Sequence, residues 1–124
     1  MTEQQIIVTL ATKVMGWKQY DETDFWFGDN GNLFNSSLWN PLQNIADAWQ
    51  LMEKLKQRYF CEVVMTEGED GYYHWMARFT EVLESPYQVN RFKAIEKTAP
   101  AAISKAAYKL VAEHNGNFRK GTEA

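Results

Sequence analysis

Apolar residues recur at helical spacing near the start of the chain. Thr2 followed by Gln5 is a capping-box pattern, which marks the beginning of a helix. Gly16 suits the left-handed backbone that ends many helices. Between these two signals one face of the predicted first helix is apolar, and it consists of Ile6, Ile7, Leu10, Ala11, Val14 and Met15.

Two further stretches have the same spacing. A second helix is predicted from Asn40, its N-cap, with Pro41 in the first turn. Its predicted buried face consists of Ile45, Ala48, Trp49, Met52 and Leu55. A third helix is predicted from the cap Thr98 to Gly116, with Pro100 in its first turn. Its predicted buried face consists of Ile103, Ala106, Ala107, Leu110 and Val111.

Strand-forming patterns fill the space between the second and third helices. Residues 59–66 and 72–81 are rich in β-forming side chains, and the polar loop 67–71 joins them, so a hairpin is predicted. A third short strand is predicted near 87–92. Alternation along the second strand places His74 on the exposed face. The opposite face is predicted to be buried, and it consists of Tyr73, Trp75, Ala77 and Phe79.

Aromatic and turn-forming residues alternate between the first two predicted helices. A short strand is predicted near 17–20 and a hairpin near 25–34, because Asn-Gly at 30–31 is a strong turn signal. Together the elements predict a single α+β domain over residues 1–116, with about three helices packed on a small antiparallel or mixed sheet. Residues 117–124 are predicted to form a polar tail.

Charge and cysteine content narrow the class of protein. The net charge of −3 at pH 7 provides no basic excess, which disfavours nucleic acid as a partner. The chain has one cysteine, Cys61, and no apolar run of membrane-spanning length. We therefore expect a cytoplasmic protein that does not associate with a membrane.

The sequence contains no recognisable catalytic or metal-binding motif. A glycine-rich phosphate loop, an HExxH helix and a nucleophile elbow are all missing. We therefore predict a protein that is not an enzyme, with no catalytic residues, no metal ligands and no cofactor. An enzyme built around His74 and neighbouring acids is the alternative from a different class.

Tryptophan is abundant, with five in 124 residues. Trp26 and Trp39 fall in loops or at loop edges, which predicts rings that face the surface and bind a partner. Trp39 and Asn40 lie beside the predicted start of the second helix, where free backbone amides would meet an anion. Trp17 and the cationic Lys18 complete the candidate binding residues. The alternative is that these tryptophans staple helix ends to the core.

Three stretches carry a family resemblance: residues 14–18 (VMGWK), 39–49 (WNPLQNIADAW) and 98–107 (TAPAAISKAA). In this order they resemble the phage α/β/α-sandwich domain family, over about residues 10–112. The resemblance implies an origin in a phage or prophage, an α/β/α-type sandwich and a place in the cytoplasm of a bacterial host. It implies no particular biochemistry.

Binding is the function that these observations favour. We expect a non-enzymatic phage or prophage accessory protein, a homo-oligomer, that binds a host or phage protein such as a component of a defence system. The first alternative is a sponge that sequesters a small signalling nucleotide. The second is a component of the virion or of its assembly.

Overall fold

The computed structural model describes residues 2–20, 25–28, 33–82 and 89–123, with the backbone alone for residue 82 and residues 114–123. Within this part of the chain, helices and strands follow one another in an α+β order. They are α1 (Glu3–Lys13), β1 (Lys18–Gln19), β2 (Phe25–Phe27), β3 (Leu33–Asn35), a 3₁₀ turn (Ser36–Leu38), α2 (Ile45–Leu55), β4 (Tyr59–Glu67), β5 (Tyr73–Val82), β6 (Val89–Glu96) and α3 (Ala99–Glu123).

The capping box predicted for the first helix is confirmed. The hydroxyl of Thr2 accepts a hydrogen bond from the backbone N–H of Gln5 at 3.2 Å, and the Thr2 N–H donates to the Gln5 side chain at 3.0 Å. Gly16 has a φ of +74°, the left-handed conformation expected where the chain leaves a helix. The chain then turns back, because the Trp17 N–H donates to the carbonyl of Ala11 at 3.0 Å.

The predicted start of the second helix is wrong by one turn. Asn44, and not Asn40, is the N-cap of α2, since its side chain accepts from the N–H of Asp47 at 3.1 Å. Asn40 instead closes a turn, with its side chain accepting from the Leu42 N–H at 3.1 Å. A side chain that satisfies the backbone two residues on favours a turn over a helix, which explains the later start.

The buried face of α2 also differs from the prediction. Ala48 and Leu51 are fully buried, whereas Ile45 and Trp49 are 52% and 54% exposed. Apolar residues occupy two adjacent stripes of this helix, and the stripe that contains Leu51 is the one buried in the core. The prediction is confirmed for Ala48, and the predicted Met52 and Leu55 also pack against the core. It wrongly included Ile45 and Trp49 and left out Leu51, because periodicity alone does not fix where the buried face ends.

The strands form two antiparallel sheets of three strands each within the described residues. The first sheet has the order β1-β2-β3 and the second sheet has the order β4-β5-β6. Both predicted hairpins are confirmed by the pairings, although residues 30–31 of the first turn lie outside the described part of the chain. The third predicted strand exists as β6, and it continues to Glu96, beyond the predicted end.

The core of the domain forms where the second sheet meets α3. Residues Cys61, Phe79 and Phe92 occupy one row across the three strands, and α3 packs over β5 and β6 while α1 and α2 contact α3. Ala77 and Phe79 are fully buried as predicted. Tyr73 is 74% exposed, so its predicted burial is wrong. It pairs with Glu67 at the hairpin end of the sheet, beyond the buried rows.

The start and the buried face of α3 match the prediction. The Thr98 hydroxyl accepts from the Ala101 N–H at 3.3 Å, and every residue of the predicted apolar face is buried. The predicted end at Gly116 is wrong, because α3 continues to Glu123. Each glycine inside a helix costs only about 1 kcal/mol relative to alanine, so Gly116 and Gly121 do not end α3, and no proline follows to stop it. The division into a domain over 1–116 and a tail stays a prediction.

Candidate binding surface

The three tryptophans predicted to bind a partner form a buried cluster. Trp17, Trp26 and Trp39 are 8%, 5% and 6% exposed, so the expected surface position of Trp26 and Trp39 is wrong. The ring of Trp17 lies edge-on to both Phe34 and Trp39, with centroids 4.9 Å away in each case. The three side chains are therefore part of the core that supports the first sheet.

Residues distant in sequence account for this burial. The indole N–H of Trp39 donates to the side-chain oxygen of Gln50, in α2, at 2.7 Å. Trp26 is in register with Gln19 and Phe34, in the row of the first sheet that faces the core. The alternative interpretation, in which the tryptophans staple helix ends to the core, agrees with the burial of Trp17 and Trp39, while Trp26 holds a strand to the core.

A cavity of about 410 Å³ opens beside this cluster. Its described lining consists of Trp17, Gly28, Phe34, Leu38, Trp39, Asp47 and Gln50. Asp47 is the one charged residue in that lining, and its carboxylate accepts from the backbone N–H of Asn40 at 2.8 Å. The anion site expected beside Trp39 and Asn40 is thus occupied by an acid of the chain itself. Lys18 is absent from the described lining.

The opposite side of the first sheet presents aromatic residues to solvent. Lys18, Phe27 and Leu33 share one row, and Phe25, two residues before Phe27 on β2, lies on the same side of the sheet, away from Trp26. Tyr20 extends this side, because its N–H donates to the Phe25 carbonyl at 2.9 Å and its ring packs edge-on to Phe27 at 5.5 Å. We call Tyr20, Phe25, Phe27 and Leu33, with Lys18, the aromatic face.

The comparison with protein families identifies the domain. A model of the phage ABA sandwich domain matches residues 8–108. The chain belongs to this family. The family resemblance inferred from the sequence is therefore confirmed. No curated protein and no solved structure is significantly similar to the chain.

The histidine considered for catalysis in this phage ABA sandwich domain is engaged in a hairpin. Nε2 of His74 lies 2.9 Å and 3.0 Å from the two carboxylate oxygens of Asp70. The hydrogen bond with His74 holds the pKa of the Asp70 carboxyl below its ordinary value. Asp70 also accepts from the N–H of Tyr72 at 3.1 Å. The pair fixes the β4–β5 turn, and Gly68 lies close against the imidazole.

The cysteine of the domain is poorly suited to nucleophilic chemistry. Cys61 lies on β4 in the same row as Phe79, and burial raises the pKa of its thiol to about 11. A thiolate is the reactive form, so at neutral pH the side chain acts as a small apolar group. Among the described residues no three histidine, cysteine or acidic side chains come together as a metal site. Among them, too, no helix is both long and apolar enough to span a bilayer.

Sequence reasoning missed a groove between α2 and β4. The groove has a volume of about 550 Å³, and exposed aromatic rings of Trp49 and Phe60 stand in its wall. Its lining consists of Trp49, Met52, Glu53, Lys56, Gln57, Arg58, Tyr59, Phe60 and Cys61. The signal in the sequence was the second apolar stripe of α2, which the prediction assigned to the core. We call this feature the α2–β4 groove.

Proposed function

We propose that this phage ABA sandwich domain is a non-enzymatic accessory protein that binds another protein through its aromatic face. The observation that supports this proposal is the exposure of Tyr20, Phe25 and Leu33, which are 43%, 41% and 50% exposed on one side of a small sheet. Exposed apolar side chains that cluster on one surface mark interaction sites more often than isolated ones do.

The construction of the first sheet suits a binding surface. Trp26 and Phe34 hold its inner side against the core, so the outer residues stand on a fixed base. Rigid aromatic side chains lose little conformational entropy when a partner covers them, and they account for much of the binding energy in protein interfaces. Lys18, at the border of the aromatic face, adds a cation that would pair with a carboxylate of the partner.

A protein partner fits this domain better than a signalling nucleotide does. The cavity beside Trp17 and Trp39 has the volume of a small-molecule site. Its described lining, however, contains the carboxylate of Asp47 and no cationic side chain. A phosphate group would meet electrostatic repulsion there, whereas the aromatic face presents an apolar surface with one positive charge.

The experiment is to capture the partner and then measure its affinity for two matched variants. The partner is isolated from host cells during phage infection, purified, and titrated calorimetrically with the full chain. Phe25→Ser/Leu33→Ser removes two exposed apolar residues from the aromatic face. We expect a loss of affinity of at least about 100-fold, the effect of removing central apolar contacts.

The control removes a similar exposed apolar area elsewhere. Val89 and Ile95 of β6 are 44% and 46% exposed, close to the values for Phe25 and Leu33. Val89→Ser/Ile95→Ser should leave the affinity unchanged. Equal affinity loss in both variants, or none in the aromatic-face variant, would overturn the placement of the site. Finding the protein in purified virions would favour a role in the particle.

A further inference from the structure

The two edges of the second sheet differ in charge. Within the described residues, β4 and β6 each pair with β5 on one side only. On β6, Arg91 and Lys93 are exposed, and such cations protect a sheet edge against pairing with another strand. The other edge, β4, is nine residues long and contains no lysine, arginine or proline. Its charged residues are Glu62 and Glu67.

We propose that β4 of a second copy of the chain pairs antiparallel with β4. The second sheets of the two copies then form one continuous sheet of six strands. A two-fold axis perpendicular to the sheet at Val63 places Val63 against Val63 of the second copy. Val63 is the midpoint of β4, so all nine residues pair in this register. Residues directly opposite then point to the same side of the sheet, as antiparallel pairing requires.

The charges of β4 are compatible with this register. Glu62 lies opposite Val64 of the second copy, and Glu67 lies opposite Tyr59 of the second copy, so no acid faces another acid. Antiparallel pairing of two copies through β6 is unfavourable, because a two-fold axis at Phe92 places Arg91 opposite Lys93 of the second copy. An axis at Lys93 sets that lysine against itself. Like charges directly opposite one another destabilise a strand pair.

Pairing at β4 also accounts for apolar side chains that the core leaves uncovered. Met65 is 59% exposed, although it lies in the row of Trp75 on the side that faces the core. In the proposed register Met65 of the second copy comes opposite Cys61, a lining residue of the α2–β4 groove. The exposed ring of Trp49 stands in the same groove, where the added strand would contact it.

Two residues in one row of the sheet provide a matched test. Val64, on β4, and Ile95, on β6, both align with Met76, and they are 43% and 46% exposed. Sedimentation velocity of the full chain should show a dimer for the wild type. In Val64→Glu the new carboxylate would lie opposite Glu62 of the second copy, and the two-fold axis creates this repulsive pair twice. We therefore expect the dissociation constant of the dimer to rise by at least about 100-fold. Ile95→Glu, at the other edge, should remain a dimer.

A third variant tests the register itself. Val64→Lys should remain dimeric, because the lysine would lie opposite Glu62 of the second copy. Dissociation of Val64→Lys to the same extent as Val64→Glu would overturn the register. A monomeric wild type, or a Val64→Glu variant that stays dimeric, would overturn the interface.

Hydrogen exchange of the wild-type protein decides the question should Val64→Glu fail to fold. Amides of β4 should become more protected as the protein concentration rises, while those of β6 should not change. Protection that is independent of concentration in both strands would refute the dimer. This interface lies apart from the aromatic face, so its failure would leave the proposed function standing.

Discussion

The first and second sheets have the same number of strands and the same antiparallel order, but they are held together differently. Strands of the first sheet contain two or three residues, whereas those of the second contain eight to ten. Strands as short as those of the first sheet form few ladder hydrogen bonds, so that sheet depends on side chains that reach the core. Trp26 supplies this anchor for the first sheet, while α3 covers the second along β5 and β6.

The outward sides of the two sheets differ as well. On the second sheet, Arg78 donates to Glu62 at 2.6 Å and 3.0 Å, so charged residues pair across neighbouring strands. The aromatic face of the first sheet has one cation, Lys18, among apolar rings. Water solvates the paired charges well and the rings poorly. The outward side of the second sheet also exposes apolar side chains, among them Phe60, Val64 and Ile95, so the two sides differ in the ion pair on the larger sheet and not in apolar exposure alone.

Removal of the central ring of the second sheet should have the largest effect on stability. Phe79 is fully buried between Cys61 and Phe92. Phe79→Ala should lower the free energy of unfolding by about 4 kcal/mol, from lost burial and the cavity left behind. In chemical denaturation the whole domain should unfold in a single transition at a lower denaturant concentration than the wild type. Loss of hydrogen-exchange protection in the second sheet alone would contradict the expectation that the domain unfolds as one unit.

Removal of the anchor of the first sheet should have a smaller and local effect. Trp26→Ala removes the side chain that holds β2 to the core, and it should cost about 3 kcal/mol. We expect the first sheet to open locally in this variant while the rest of the domain stays folded, because the other elements keep their own contacts. Hydrogen exchange should show lost protection at β1, β2 and β3, with β5 and β6 unchanged. A uniform loss in both sheets would show that the two sheets unfold together.

Most features set by neighbouring residues were predictable from the sequence, although the local signals at Asn40 and Gly116 misplaced a helix start and a helix end. Features set by distant residues were not predictable. The caps at Thr2 and Thr98 and the β4–β5 hairpin depend on local chemistry and are confirmed. The burial of Trp39 depends on Gln50, and the exposure of Trp49 depends on which stripe of α2 the core selects. The aromatic face follows from the strand register, which places Trp26 on the inner side of the first sheet and Phe25 and Phe27 on the outer side.

The contact between α3 and the segment that precedes α2 can be weakened by removing one atom. Ser104 of α3 is fully buried, and its hydroxyl donates to the carbonyl of Pro41 at 2.6 Å. Ser104→Ala would leave that buried carbonyl without this donor and should cost about 1.5 kcal/mol in thermal or chemical denaturation. The neighbouring Lys105→Met, which removes a partly exposed ion pair with Glu96, should cost about 0.5 kcal/mol or less. An equal cost for both would contradict the role assigned to Ser104.

The effect limited to the narrowest range of conditions is a loss of stability at alkaline pH that originates in the second sheet. Burial raises the pKa of Cys61 from 9.0 to about 11 and the pKa of Tyr59 from 10.0 to about 12. Both groups lose a proton more readily in the unfolded chain than in the folded domain. The stability that they contribute is therefore fully present below about pH 9 and is lost as the pH rises from 9 to 12. Denaturation midpoints measured across this range should decline, and Cys61→Ala should delay the onset to about pH 10, where Tyr59 begins to ionise in the unfolded chain. An unchanged onset in that variant would show that the thiol is ionised as easily in the folded domain as in the unfolded chain.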